Sequence, residues 1–260
     1  MDVIFLGKKP GASLALEFLI EQGFNVLFVC AILEDKRLHW HNPLKDTVKK
    51  HNIKIVSEDL IYEELQKVRG VDLVVSYLFW EKIKEPLITG PKYGCINFHP
   101  APLPDFRGVG GYNIAIYEKL KEWGVSAHFV DQDFDTGDII KVNRFPINSE
   151  ELTAFSLEQT TQDYLLELFK EVMLEFKLKK SGVPRRKQGN GRYIDRSEFE
   201  RIRRITNKDS QEEIERKIRA FWYPPYEGAY VEIDGRRYTL VNEFVLKEAA
   251  KYYHGSKRTG

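Results

Sequence analysis

Short apolar runs alternate with helical patterns in the first half of the chain, and this alternation restricts the fold more than any other feature. Residues 3–6 and 26–33 are apolar runs, residues 71–78 are a further predicted strand, and helical patterns lie between them, as at residues 61–68. A run that is apolar throughout is typical of a strand buried on both faces of a parallel sheet. Strands separated by helices form βαβ units. The sequence therefore predicts an α/β fold built on a Rossmann-like, doubly wound, mostly parallel sheet.

Polar residues follow the next apolar run. Residues 97–100 read Asn-Phe-His-Pro, residues 103–108 read Leu-Pro-Asp-Phe-Arg-Gly, and residues 133–138 read Asp-Phe-Asp-Thr-Gly-Asp. At strand spacing, the side chains of Asn97 and His99 lie on one face and the intervening Phe points to the other. The prolines that follow exclude a helix or a central strand, so the chain turns into a loop. Open α/β sheets carry their chemistry at this end of their strands.

Three of these residues form a chemically coherent set. Neutral His99 can accept a proton near pH 7, because the unperturbed pKa of histidine is about 6.5. The amide of Asn97 can donate a hydrogen bond to a developing oxyanion. Asp135 can orient the imidazole and stabilise it once it is protonated. The set suits addition of a neutral amine to a carbonyl, with protonated His99 as a second partner of the oxyanion. Neither cysteine is needed as a nucleophile, since both lie inside apolar runs and are predicted to be core residues.

The three motifs, in this order, resemble the folate-dependent formyltransferase family. This family includes methionyl-tRNA formyltransferase, glycinamide ribonucleotide formyltransferase and the sugar N-formyltransferases. The resemblance implies that Asn97, His99 and Asp135 are a catalytic triad and that N10-formyltetrahydrofolate is the formyl donor. We expect no metal ion, because the six histidines show no paired ligand spacing and the triad needs none.

Each member of the triad also has a structural alternative. A histidine after a strand is commonly a structural residue, an asparagine there often caps a turn, and Asp-Thr-Gly-Asp is a good turn sequence. The ordered combination favours the functional interpretation. Asp138 competes with Asp135 for the role of the acid, although Asp138 also precedes the apolar pair at residues 139–140 and can simply begin a strand.

Two segments are predicted to line the folate pocket. Leu78, Phe79 and Trp80 follow an apolar strand and either flank the flat pterin ring or pack under the next helix. By resemblance, the loop with Asp131, Asp133 and Asp138 also lines this pocket.

Two further segments are predicted to contact the acceptor. Lys8 and Lys9 lie in a strand-to-helix loop at residues 7–11, where helix N–H groups favour phosphate, although an ordinary turn with solvated lysines is an equal alternative. Arg107 and Gly108, in the loop after the first motif, are expected to order the folate or the acceptor.

Downstream of these motifs the pattern changes. Residues 112–122 are predicted to be helical and residues 125–131 to form a strand, and a long helix with an apolar stripe follows a cap at residues 149–153. Residues 181–193 are polar and basic and are interpreted as a loop. A helix at residues 211–220 and a hairpin with an Asp-Gly turn at residues 234–235 follow. We therefore predict a catalytic domain at residues 1–180 and a small helix-plus-hairpin extension at residues 181–260.

The aromatic sequence Phe221-Trp222-Tyr223 bears on the substrate. With the hairpin that follows it, this sequence resembles the sugar N-formyltransferases, which act on nucleotide-linked 3-amino or 4-amino deoxysugars. These rings either hold the base of the acceptor or anchor the tail to the core. The sequence thus favours an N-formyltransferase of such sugars, for surface polysaccharide or lipopolysaccharide biosynthesis by resemblance. The alternatives are methionyl-tRNA formyltransferase, formyltetrahydrofolate hydrolase and a non-catalytic folate- or nucleotide-binding module.

Composition restricts the partners. The 260 residues are 42% hydrophobic and 30% charged, which is typical of a globular enzyme. A net charge of +1 lacks the basic excess expected of a tRNA-binding protein. No apolar run reaches the roughly 18 residues of a membrane span, and the start lacks the basic region of a signal peptide. We therefore expect a cytoplasmic enzyme without nucleic-acid or membrane partners. A homodimer through the hairpin or through residues 155–176 is a further hypothesis.

Overall fold

The computed structural model describes residues 1–8, 10–31, 43–79 and 81–255. The chain forms two compact units that interleave along the sequence. Unit 1 consists of Met1–Arg107, Gly124–Arg144 and Thr161–Arg192, and unit 2 consists of Gly108–Trp123, Phe145–Thr160 and Tyr193–Gly260. The sequence predicts a single domain boundary at residue 180, and this division stays a prediction.

Within the described residues there are eleven strands and eight α-helices. The strands are β1 Asp2–Gly7, β2 Asn25–Cys30, β3 Ile55–Val56, β4 Leu73–Tyr77, β5 Cys95–His99, β6 Phe106–Gly108, β7 Glu122–Phe129, β8 Ile139–Pro146, β9 Arg192–Ile194, β10 Tyr230–Ile233 and β11 Arg236–Thr239. The helices are α1 Gly11–Glu21, α2 Pro43–Lys50, α3 Ile61–Leu65, α4 Gly111–Tyr117, α5 Ala154–Lys179, α6 Arg196–Arg203, α7 Gln211–Ala220 and α8 Glu243–Gly255. Two short 3₁₀ turns lie at Glu58–Leu60 and Lys180–Gly182.

A seven-stranded sheet has the strand order β3-β2-β1-β4-β5-β7-β8. The pairs β2–β3, β1–β2, β1–β4 and β4–β5 are parallel, and β5–β7 is antiparallel. The chain order reverses between β1 and β4, which is the topology of a doubly wound sheet. The predicted α/β class with a mostly parallel sheet is confirmed.

The central strands are buried because they are apolar on both faces. Every residue from Val3 to Leu6 is fully buried, as are the residues of β4. Cys30 and Cys95 belong to the same cluster of core side chains as Ile4 and Leu6. Burial raises the pKa of the Cys30 thiol to about 12 and raises that of Cys95 as well. The prediction that both cysteines are core residues rather than nucleophiles is confirmed.

The predicted helix at residues 112–122 is too long. Helix α4 ends at Tyr117, and Lys119 has a left-handed backbone with φ 58°. The N–H of Leu120 then donates to the carbonyl of Ala115, which closes the helix end in the manner of a Schellman turn. Strand β7 consequently begins at Glu122, three residues before the predicted start. For β2, the last residues of the predicted strand lie outside the described residues.

The carboxyl-terminal elements follow their local signals. Helix α5 starts after Thr153, whose side chain accepts from the N–H of Ser156 at 3.0 Å. Helix α7 occupies the predicted residues, with Ser210 as its N-cap. Asp234 and Gly235 have φ of 50° and 72°, as the tight hairpin between β10 and β11 requires. None of the helices in the described part of the chain combines the length and apolarity needed to cross a membrane.

Candidate active site

Strand β5 carries the polar pair to the carboxyl edge of the sheet. Asn97 is paired with Ser76 of β4 on one side and with His128 of β7 on the other. Phe98, between the two polar residues, is fully buried on the opposite face and lies 4.7 Å from the ring of Phe169. The predicted distribution of these side chains over the two faces is therefore confirmed.

The carboxamide of Asn97 has a fixed orientation. The Nδ1 atom of His128 lies 2.7 Å from the carbonyl oxygen of Phe129, and a carbonyl oxygen can only accept. In neutral His128, Nδ1 therefore carries the proton and Nε2 is an acceptor. The group that faces Nε2 at 3.1 Å must be the NH₂ of Asn97, and its Oδ1 accepts from the hydroxyl of Ser76 at 2.7 Å. One N–H of Asn97 is thus held by His128, and the second can be directed at a substrate oxygen.

His99 lies between a carbonyl and a carboxylate. Its Nε2 is 3.2 Å from the carbonyl oxygen of Phe106, and its Nδ1 is 3.5 Å from Oδ1 of Asp135. The side chains of His99 and Asp135 are only 12% and 13% exposed. A neutral imidazole has one proton, and both ring nitrogens face an acceptor, so the neutral ring can donate to only one of them. Once protonated, the ring can donate to both neighbours.

The pKa of His99 is lowered from its usual value. Burial of the ring is the main cause, Asp135 opposes it, and the nearby His128 adds to the lowering. The resting ring at pH 7 is therefore neutral. That protonated His99 assists the oxyanion stays a prediction, in which the attacking amine supplies the proton.

Asp135 lies in a tightly constrained loop. Its own backbone is left-handed, with φ 58°, and a Cβ atom at Gly137 would lie 1.9 Å from the carbonyl oxygen of Phe129. The loop is braced by Asp131, whose Oδ1 accepts from the N–H of Asp133 and, at 2.6 Å, from the hydroxyl of Thr136. This geometry directs Asp135 toward His99.

Asp138, the alternative acid, is placed at the start of β8. Its carbonyl accepts from the N–H of Phe129, and the strand begins with the next residue. This position fits the alternative that Asp138 simply begins a strand.

The other residues that were predicted to line the folate pocket differ in their exposure. Leu78 and Phe79 are half-buried at the end of β4, where Leu78 has φ 56° and Phe79 packs against the core of unit 1. Asp133 is exposed, and Trp80 lies outside the described residues. Contact of this segment and of the Asp131 loop with a pterin stays a prediction.

Two of the residues of unit 1 that were predicted to contact the acceptor, Lys8 and Arg107, are buried or bonded to other protein groups. Lys8 is only 6% exposed, and Lys9 lies outside the described residues. Arg107 donates to the Gln188 side chain and to the carbonyl oxygen of Gly189 at 2.9 Å. These contacts favour an internal role for Arg107 over direct binding of substrate.

The predicted acceptor residues of unit 2 also have structural roles. Gly108 has φ 84°, and a Cβ atom there would lie 2.8 Å from the carbonyl oxygen of Ile194. Phe221 is 1% exposed and packs on Phe199, which favours the anchoring alternative for this ring. The carbonyl of Trp222 accepts from the N–H of Phe155.

Tyr223 lies in a stack of three tyrosines in the same unit. Its ring is stacked on Tyr112 at 6.3 Å and on Tyr226 at 5.6 Å. Burial and a hydrogen bond with Glu158 raise the pKa of Tyr223. A role of this stack in binding a base stays a prediction.

Three polar residues of the site were not found from the sequence. Ser76 and His128 come beside Asn97 only through the register of β4, β5 and β7. Gln188 lies in the segment interpreted as a solvated loop, more than 50 residues from Asp135. None of the three has a local sequence signal. The residues that the structure describes include no group of three His, Cys, Asp or Glu side chains that could hold a metal ion.

Comparison with known proteins agrees with this site. The sequence profile named Formyl transferase matches residues 36–173, slightly more than half of the chain. The chain belongs to the formyl transferase family.

Relatives within this family differ in their acceptors. The methionyl-tRNA formyltransferase of Citrifermentans bemidjiense is 30% identical over 183 residues, which cover 67% of this chain and 56% of that protein. The chain thus spans little more than half the length of this curated relative. Among solved structures, WlaRD, a sugar 3N-formyl transferase in the presence of dTDP and 5-N-formyl-THF, is 26% identical with a TM-score of 0.70 and coverage of 91% and 84%. The N-formyltransferase from Helicobacter canadensis, in complex with folinic acid and dTDP-3-aminofucose, is 26% identical with a TM-score of 0.70 and coverage of 93% and 88%.

Proposed function

We propose that this chain is an N-formyltransferase that moves a formyl group from N10-formyltetrahydrofolate to the amine of a nucleotide-linked amino deoxysugar. The observation that carries the proposal is the convergence of Asn97, His99 and Asp135 at the end of β5 in a member of this family. The lowered pKa of His99 supports it further, because a neutral imidazole can take up the proton that an attacking amine must lose.

The sugar acceptor is supported by the solved structures. Two relatives whose names specify sugar or aminofucose substrates match this chain over nearly its whole length and over most of theirs. The folate donor has the same support, since both relatives were solved with a formylated reduced folate. By resemblance, we expect the product to enter surface polysaccharide biosynthesis and the enzyme to work in the cytoplasm.

Around the triad, the protein surface suits a flat donor. The half-buried Leu78 and Phe79 follow the strand next to β5, and the braced loop with Asp131 carries the acid. These residues would hold the pterin, and the bound donor would supply a formyl carbonyl attached to a nitrogen leaving group.

Asn97 would stabilise the negative charge that develops on the formyl oxygen. His128 and Ser76 already hold its carboxamide in one orientation, so its second N–H needs no reorganisation when the charge appears. Preorganised donors of this kind are typically worth about 10²–10³ in kcat.

His99 and Asp135 would manage the proton. As the carbon–nitrogen bond to the sugar forms, the His99 ring takes the proton that the amine loses, and Asp135 stabilises the resulting imidazolium from 3.5 Å. When the bond between the formyl carbon and the folate nitrogen breaks, that nitrogen takes the electron pair and His99 returns the proton to it. The products are the N-formyl sugar and tetrahydrofolate, and the ring is neutral again.

The proposal is tested by following the release of tetrahydrofolate from N10-formyltetrahydrofolate. Reactions contain dTDP- or UDP-linked 3-amino or 4-amino sugars, methionyl-tRNA, or no acceptor. We expect turnover with one amino sugar that is lost in His99→Ala. Turnover only with tRNA would assign the chain to the activity of its curated relatives. Turnover without any acceptor would make it a hydrolase, and either result would overturn the proposed acceptor.

A further inference from the structure

Gln188 contacts the loop that carries Asp135. Its Nε2 donates to the carbonyl oxygen of Asp135 at 3.0 Å and to that of Gly137 at 2.6 Å. Gln188 therefore binds the backbone on both sides of Thr136, next to the carboxylate that faces His99. A backbone with left-handed φ at Asp135 gains most from such contacts, because this conformation is otherwise unfavourable for a side chain with a Cβ.

Arg107 fixes the orientation of the same carboxamide. Its Nε and one terminal nitrogen both donate to Oε1 of Gln188, at 3.2 and 2.7 Å. A guanidinium has no acceptor, so the oxygen of Gln188 must face Arg107 and the NH₂ must face the two carbonyls. The positive charge also polarises the amide, which strengthens its two donated hydrogen bonds.

The backbone next to Gln188 is attached to the same loop. Arg186 and Ile139 exchange two backbone hydrogen bonds, at 2.8 and 2.9 Å. Gln188 is two residues after Arg186, and it contacts Gly137, which is two residues before Ile139. The segment at residues 186–188 thus runs along the end of the acid loop and holds it at two successive points.

We propose that Arg107 and Gln188 form a clamp that positions Asp135 against His99. The proposal rests on the proposed function, in which Asp135 stabilises the protonated ring. Arg107 and Gln188 are positioning residues, since they reach the loop backbone and the carboxylate rather than the reacting atoms. The arginine of the second motif, residues 103–108, therefore acts through Gln188 on the third motif, residues 133–138.

The test compares Gln188→Met with Asn190→Leu in the full chain. Each variant replaces a carboxamide with an apolar group of similar size, and Asn190 is an exposed residue two positions beyond Gln188. Loss of the clamp should lower kcat about 10- to 100-fold, because a displacement near 1 Å of a catalytic group can cost about 10²-fold. The KM for the donor should change less than about threefold, since the clamp acts on the transition state. Asn190→Leu should behave like the wild type.

A second readout needs no activity. Asp135 raises the pKa of His99, so a displaced carboxylate should make the imidazole titrate at lower pH in Gln188→Met, as followed by NMR. A residue that only stabilises the fold would lower the melting temperature without this shift. If the wild type transfers no formyl group, the proposed function fails, and the titration still decides on the clamp.

Gln188→Glu gives a third comparison. The carboxylate still accepts from Arg107 but cannot donate to the two carbonyls, so kcat should stay low. Wild-type kcat in Gln188→Glu, or an unshifted His99 titration in Gln188→Met, would overturn the clamp.

Discussion

The Nδ2 atom of Asn97 lies 3.1 Å from Nε2 of His128, and this contact defines which way the Asn97 amide faces. The orientation of the amide follows from the backbone carbonyl of Phe129, because this acceptor fixes the proton of neutral His128 on Nδ1. The oxyanion donor of the site is therefore set by a chain of partners that are themselves buried. Ser76 is fully buried, and His128 is 2% exposed.

Ser76→Ala should reduce activity without preventing folding. The substitution leaves Oδ1 of the half-buried Asn97 without the Ser76 donor, which costs up to about 1–3 kcal/mol, and it frees the amide to rotate. We expect kcat to fall about tenfold or more, toward the loss for a missing oxyanion donor. Ser13→Ala is the matched control, because Ser13 is also buried and bonded to a side chain, that of Thr47. Equal kcat in the two variants would contradict the role of Ser76.

Asn97→Asp should be more harmful than Asn97→Ala. Alanine removes the oxyanion donor and should lower kcat about 10²–10³-fold. Aspartate has the same shape but replaces the donor with a negative charge beside the developing oxyanion. Steady-state kinetics with the best acceptor, together with calorimetric binding of a folate analogue, would test this order. Aspartate activity equal to or above that of alanine would be inconsistent with an oxyanion donor at this position.

Activity should fall on the acid side of neutrality. The pKa of His99 is lowered by burial, so the free enzyme loses its base only below the ordinary histidine pKa of about 6.5. The His99 side chain binds a proton more readily in the unfolded chain than in the folded protein. The free energy of unfolding should therefore decrease as the pH falls from about 6.5 through the lower pKa of the folded state. Above about pH 6.5 this group should not affect stability. The measurements are a pH profile of kcat/KM and melting temperatures over the same range. An acid limb centred above pH 7 would contradict a buried neutral His99.

Gly137→Ala should distort the acid loop. Its Cβ would overlap the carbonyl oxygen of Phe129, so the backbone next to Asp135 must move. Overpacking of this kind costs about 1–3 kcal/mol or more. We expect a lower melting temperature and loss of kcat in the protein that remains folded. Gly182→Ala is the control, since its Cβ would meet only the Lys179 side chain, at 3.7 Å. Similar behaviour of both variants would show that the loop tolerates displacement.

Features that depend on nearby residues could be predicted from the sequence. The apolar runs predicted the sheet, the Asn-Phe-His spacing predicted which side chains lie on each face of β5, and the Asp-Gly pair predicted the hairpin. The resemblance selected Asp135, and the geometry now explains the choice, since Asp135 rather than Asp138 faces His99.

Other features depend on residues that are far apart in the sequence. His128 comes beside Asn97 only through antiparallel pairing of β5 and β7, and Gln188 reaches Asp135 across more than 50 residues. For Phe221 the sequence left two roles open, because an aromatic side chain in a Pro-rich segment suits a binding surface and a core equally well. Its burial in unit 2 depends on Phe199, a residue of a helix that was not predicted.

Transfer of an isotopically labelled formyl group tests the central claim most directly. The labelled donor is incubated with the amino sugar that supports turnover, and the product is analysed by mass spectrometry for wild type and His99→Gln. We predict label on the sugar nitrogen in the wild type and a rate at least about 10²-fold lower in the variant, because glutamine cannot take up the amine proton. Label that never reaches an amino sugar, or a His99→Gln rate within tenfold of the wild type, would contradict the account.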